Sequence, residues 1–121
     1  AITETFGVGG MAMIAAPAVT RFVGAGGYED ALRTSTDMKK VTIDRNPNFI
    51  IPNWNFQGIC LGIDARLVVD KGIVPVINTG IAHKIAGYGQ IGAGTVKPPM
   101  QCFKKAIKAY AEKLGYCEEG K

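Results

Sequence analysis

The chain is poor in the residues that most enzymes use for covalent work. It has one histidine, His83, and one serine, Ser35. There is no G-x-S-x-G turn to expose a nucleophile, and no pair of carboxylates spaced for sugar hydrolysis. Three cysteines are present, Cys60, Cys102 and Cys117, and none forms a C-x-x-C pair. With a single histidine they cannot build a zinc site of the usual kind, so no metal and no cofactor is expected. An odd, unpatterned count suits reduced thiols and a cytoplasmic protein, with each cysteine acting as a small buried hydrophobe.

Long apolar runs are also missing. The stretch "VGGMAMIAAPAVTRFVGAGG" is apolar, but Pro17 and Arg21 interrupt it. A membrane span needs about 20 continuous apolar residues. The opening "AITETF" has no basic n-region, so it does not read as a signal peptide. The net charge of +4 is scattered, apart from Lys104, Lys105 and Lys108 on one candidate helix. Without a concentrated basic patch and stacking aromatics, nucleic-acid binding is not expected.

What remains is enough for one compact domain over residues 1–121, with 47% hydrophobic residues to fill a core. Residues 8–23 read as a buried helix kinked or broken at Pro17. "YEDALRTSTDMKKVTI" reads as an amphipathic helix, acidic at its start and basic near its end, with Leu32, Met38 and Val41 facing inward. Residues 44–58 hold Pro47, Pro52 and several Asn, and read as a long connection anchored by its aromatics. Asp64 is a candidate N-cap for a short helix that Gly72 closes. "IVPVINTG" reads as a buried strand, at an edge or beginning after Pro75. A final helix enters at Pro98 and Pro99, carries Met100, Phe103, Ile107, Tyr110 and Leu114 at helical spacing, and leaves at Gly115. The fold class expected is α+β, helix-rich with a few short strands. The abrupt apolar start suggests a piece of a larger multidomain protein.

The segment "INTGIAHKIAGYGQIGAGTVKPPM" concentrates the chemistry. It holds His83, Lys84, Lys97 and five glycines: Gly80, Gly87, Gly89, Gly92 and Gly94. Gly87, Gly89 and Gly92 match G-x-G-x-x-G literally. A dinucleotide site needs a strand just before that motif and a helix opening inside it. Here the strand is expected to end near Thr79 and the helix waits for Pro98, so that reading is rejected. Two readings stay open. Glycine backbone can wrap N–H groups around an anion, with Lys84 and Lys97 beside it. Equally, the glycines can serve tight turns and close packing, with His83 a structural residue and both lysines ordinary surface groups. Asn78 and Thr79 are candidates as polar groups at a strand's end. Asp64 and Arg66 can be a cap and its ion pair. A Cys60–His83 dyad can be written, but nothing in the sequence ties the two together.

Several motifs in fixed order add to this. They are G-I-D-x-R-x-V-V at Gly62–Val69, I-N-T-G-I-A-H-K at Ile77–Lys84, G-x-G-Q-I-G-A-G at Gly87–Gly94 and P-P-M-x-C-F at Pro98–Phe103. With "ETFGVGGMAMIAAPAVTRFVG" before them, they resemble the C-terminal region of the YlbE-like family. The resemblance implies a bacterial protein several times this length, encoded beside an FdrA-like partner, and an oligomer. It also implies kinship with a subunit of oxamate carbamoyltransferase, in anaerobic allantoin breakdown. That reaction moves a carbamoyl group between oxalurate and phosphate, giving oxamate and carbamoyl phosphate. All of these are anions.

On that expectation Asn78, Thr79, His83, Lys84, Gln90 and the backbone from Gly87 through Gly89 and Gly92 to Gly94 line the site. His83 polarises the carbonyl or moves a proton. Lys84 or Arg66 holds phosphate or carboxylate, with Lys97 nearby. The competing expectation is a non-catalytic interaction domain, whose apolar first helix and aromatics near Trp54 form an interface.

Overall fold

The computed structural model describes residues 2–24 and 26–116. It is an α+β fold of five helices and two separate antiparallel hairpins among those residues. α1 (Ile2–Phe6) is a single turn. A 3-10 segment (Gly9–Ala15) follows, and its Met11, Met13 and Ile14 fill the centre of the core. α2 (Pro17–Phe22) then begins with Pro17 at its first turn, where a missing N–H costs nothing. The expected helix over residues 8–23 is therefore broken at Pro17, and its first half is 3-10.

Glycine is required where this N-terminal part folds back. A Cβ on Gly10 would lie 2.0 Å from the Val76 carbonyl oxygen, and one on Gly9 would lie 2.1 Å from Glu4 Oε2. No larger residue fits either place without moving backbone or a buried carboxylate.

α3 (Tyr28–Lys40) starts where Gly27 N–H donates to Asp30 Oδ2 at 2.9 Å. It buries Ala31, Ser35 and Met38, while Leu32, expected inside, is exposed. Ser35 earns its burial by accepting the Ile14 N–H at 3.0 Å, which bolts α3 to the 3-10 segment. The helix stops at Lys40, short of the expected Ile43. Thr42 and Ile43 are β-branched and enter a strand instead, and the Thr42 hydroxyl donates back to the Met38 carbonyl at 3.1 Å.

The expected long connection over residues 44–58 is mostly sheet. β1 (Thr42–Ile51) pairs with β2 (Gln57–Ile63). Both prolines sit where a sheet tolerates them. Pro47 falls in the register shift between Asn46 and Ile50, and Pro52 opens a single 3-10 turn, Pro52–Trp54. Trp54 and Ile51 are buried anchors, whereas Phe49, Ile50 and Phe56 stay exposed.

α4 (Ala65–Lys71) is capped as expected. Asp64 Oδ1 accepts the Arg66 N–H at 2.9 Å, and Gly72 takes φ +70°. β3 (Ile77–Ala82) begins after Pro75 and pairs with β4 (Gln90–Val96). β3 is not the buried strand expected, because its residues run from half-buried to exposed. α5 (Met100–Lys113) lies against α4, and its Met100 and Phe103 pack on the core. Its C-terminal end is open, with Tyr110 and Leu114 exposed, and near its start Cys102 is exposed too, not the buried residue expected. Cys60 is buried, and Cys117 lies outside the described residues. Among the described residues no helix is long and apolar enough to cross a membrane.

Candidate functional site

The glycine-rich segment is a β-hairpin rather than a loop. Gly80 lies in β3, Gly92 and Gly94 lie in β4, and only Gly87 and Gly89 lie in the turn. Those two take φ +89° and +77° with open space where a Cβ would stand. G-x-G-x-x-G thus spans a turn and a strand, not a strand-to-helix junction, and the dinucleotide reading stays rejected.

At the tip, His83 N–H donates to the Gly89 carbonyl at 2.8 Å. Ile85 N–H donates to His83 Nδ1 at 3.0 Å. An Nδ1 that accepts must be unprotonated, so the neutral ring carries its proton on Nε2. The Tyr88 ring stacks on the imidazole, with centroids 4.6 Å apart and planes 24° from parallel. The tip therefore holds its imidazole in a set orientation and tautomer. Lys84 is exposed and makes no ion pair among the described residues.

Asn78, Thr79 and Gly80 of β3, with Ala93 and Gln90 of β4 (Gln90 at the turn end, paired with Ala82), line an open cleft of about 340 Å³ with Val19, Phe22 and Val23 of α2 and its end. Gln90 Nε2 donates to the Gly92 carbonyl at 2.8 Å. Asn78 Nδ2 donates to Met13 Sδ at 3.4 Å, and a thioether can only accept, which fixes the amide's orientation. Asn78 and Thr79 are second and third in β3, not at its end.

The sequence reading missed Glu4. It is 3% exposed, and its Oε2 accepts the N–H of Gly10 at 2.9 Å and of Asn78 at 3.3 Å. This carboxylate fastens α1 to the 3-10 segment and to the root of β3. The signal available was an acid just before a dense glycine run, "ETFGVGG". Tyr88 was missed as well.

Two candidates stand apart from this group. Lys97 lines a separate cleft of about 400 Å³ with Thr95 and with Arg33, Thr34 and Asp37 of α3. Arg66 lines another cleft, of about 690 Å³ and mostly apolar, between the β1–β2 end, the start of α4 and α5. Its guanidinium is already engaged: Nε and Nη2 donate to the two oxygens of Asp64 at 3.1 and 2.8 Å. That bond holds the Asp64 carboxyl below its ordinary range. Cys60 lies on β2 and not on the hairpin of His83, and burial pushes its thiol up, away from the thiolate a dyad would need. Among the described residues no cluster of three or more His, Cys, Asp or Glu could hold a metal ion.

The decisive comparison is with a curated Escherichia coli (strain K12) protein, oxamate carbamoyltransferase subunit AllG. It is 63% identical over 115 residues, which is 95% of this chain and 27% of that protein. This chain is similar to a segment of AllG over nearly its whole length. The resemblance to an oxamate carbamoyltransferase subunit, read from the motifs, is borne out at that level. The uncharacterised Escherichia coli protein YahG is 51% identical over 115 residues, 24% of its length. A crystal structure of a conserved protein of unknown function from Enterococcus faecalis V583 matches with a TM-score of 0.81 at 50% identity. The match covers 92% of this chain and 26% of that one. No family model matches. The chain spans about a quarter of the length of AllG, YahG and the solved protein.

Proposed function

We propose that this segment belongs to a carbamoyltransferase subunit and that its β3–β4 hairpin supplies the anion-binding and carbonyl-polarising groups. The observation that carries the reading is the 63% identity to AllG across 95% of the chain. The hairpin's chemistry supports it.

In the proposed reaction a phosphate oxygen attacks the carbamoyl carbon of oxalurate. An O–C bond forms and the C–N bond to the oxamate nitrogen breaks. That nitrogen leaves with a proton as oxamate, and carbamoyl phosphate remains. Negative charge builds on the carbamoyl oxygen as the attack proceeds. His83 Nε2–H, oriented by the Ile85 amide and the Tyr88 ring, is a preformed donor for that oxygen. Lys84 and the turn amides around Gly87 and Gly89 hold the phosphate. In this reading the carboxamide and hydroxyl groups of Asn78, Thr79 and Gln90 orient the oxalurate or oxamate end.

Ligand protection tests the reading. Binding to the native state alone raises its stability as RT ln(1 + [L]/Kd), about 2.7 kcal/mol at a hundred times Kd. Phosphate and oxamate are expected to raise the melting temperature of the natural-length protein, and Lys84→Ala to weaken the phosphate effect. A melting temperature indifferent to both ligands contradicts the proposed anion site.

A further inference from the structure

β3 and β4 form a two-stranded hairpin, and among the described residues neither strand pairs with any other. An isolated two-stranded hairpin is marginal in water, and glycine inside strands weakens it further. This one carries Gly80, Gly92 and Gly94. It is also apolar outside: Ile81, Tyr88 and Ile91 are 58%, 69% and 63% exposed.

Exposed sheet edges are ordinarily guarded by charge, proline or a twist-inducing bulge. β1 has all three devices in Asp44, Arg45, Pro47 and its register shift. β3, INTGIA, and β4, QIGAGTV, contain no charged residue and no proline, and their one register shift lies next to the turn, between Ile81 and Ala82. From Gly92 to Val96 the edge has none of the three devices and is open to pairing.

The backbone shows which edge. Asn78 turns its N–H away from β4, towards Glu4 Oε2. Alternation along an antiparallel pair then turns outward the backbone groups of its partner Thr95, and of the next such pair, Gly80 and Ala93. On the β3 side, the root is closed by Glu4. On the β4 side, Ala93 and Thr95 present their N–H and C=O groups to no strand among the described residues.

We infer that the outer edge of β4, Gln90–Val96, is completed by a strand from the same polypeptide beyond this segment. The matched segment is only 27% of AllG and 26% of the Enterococcus faecalis chain, so ample chain lies outside it there to supply that strand. β-strand addition needs nothing from the added strand but extended backbone, with apolar side chains to meet Ile81 and Ile91. This inference does not rest on the transferase reading.

Hydrogen exchange at single-residue resolution, on the protein at its natural length, tests it without any substitution. Slowing of the Ala93 and Thr95 amides by about a hundredfold or more from the free-chain rate, matching Gly92 and Gly94 and unchanged by dilution, is the result expected. Alternation along β4, with Ala93 and Thr95 exchanging freely, overturns it. Protection that disappears on dilution assigns the edge to a second copy and overturns it as well.

Discussion

Ile85 N–H donates to His83 Nδ1 at 3.0 Å, two residues along the same turn. That one bond decides the tautomer of the chain's only histidine and leaves Nε2–H as its outward donor. The Tyr88 ring then holds the imidazole plane. Tyr88→Ala is expected to lower turnover severalfold while Tyr88→Phe restores it, because the contact is ring on ring and not through the hydroxyl. Steady-state kinetics on the three proteins check this. Equal loss in both variants points instead to the hydroxyl.

Glu4 accepts two backbone N–H groups in a buried place. Glu4→Ala leaves both donors without that acceptor, and each unsatisfied buried donor costs about 1–3 kcal/mol. A fall in unfolding free energy of about 2 kcal/mol or more is expected in urea, with Glu4→Gln losing less. A variant as stable as wild type shows that water or another group takes over the amides.

Gly10→Ala is expected to be worse than either. Its Cβ would sit 2.0 Å from the Val76 carbonyl oxygen, which is backbone and cannot swing aside. Several residues must shift, at a cost of several kcal/mol. Gly87→Ala meets no such neighbour, although its φ of +89° makes it a strained site costing about 1 kcal/mol. Thermal melts of the pair rank the two.

Asp64 gives a pH-dependent test. Its carboxyl is held below the usual carboxylate range, first of all by the hydrogen bond from the Arg66 guanidinium. A depressed folded-state value means the stabilisation is fully present above the unfolded value and is lost as pH falls through the folded one. Asp64→Ala is therefore expected to cost about 1 kcal/mol at neutral pH as a lost N-cap. The gap to wild type narrows as pH drops below about 4. A gap that stays constant down to pH 2 shows that the carboxylate's charge plays no part.

Helices α2, α4 and α5 were legible in the sequence because their ends are written locally, whereas α1 was not anticipated and α3 ends earlier than expected. Asp64 and Gly72 bracket α4, Pro17 opens α2, and Pro99 and Gly115 frame α5. The sheets were not. β1 was read as a connection because Pro47 and Pro52 forbid a continuous helix and the Asn and Asp residues around them favour turns. Only pairing with β2 shows that one proline fills a bulge and the other starts a turn. The hairpin was read as a glycine loop for a related reason. Glycines obscure strand alternation, and the register Asn78 to Thr95 joins residues far apart in sequence. Of the candidate site, the segment was legible and its internal division was not. The sequence could not show that His83, Lys84 and Gln90 lie at or beside the tip, Asn78 and Thr79 towards the root, or Arg66 in the grip of Asp64. Glu4 was missed because its partners are backbone amides, and only its place just before a dense glycine run hinted at them.

The most direct measurement is phosphate-dependent formation of carbamoyl phosphate from oxalurate. It uses the natural-length protein together with the FdrA-like subunit that the proposed reading calls for, as wild type and as His83→Ala. Removing one preformed oxyanion donor typically costs about a hundredfold or more in kcat. The account predicts turnover by the wild type and a loss of that size in the variant, with folding unchanged. Undiminished turnover in His83→Ala, or none from the wild type, would contradict it.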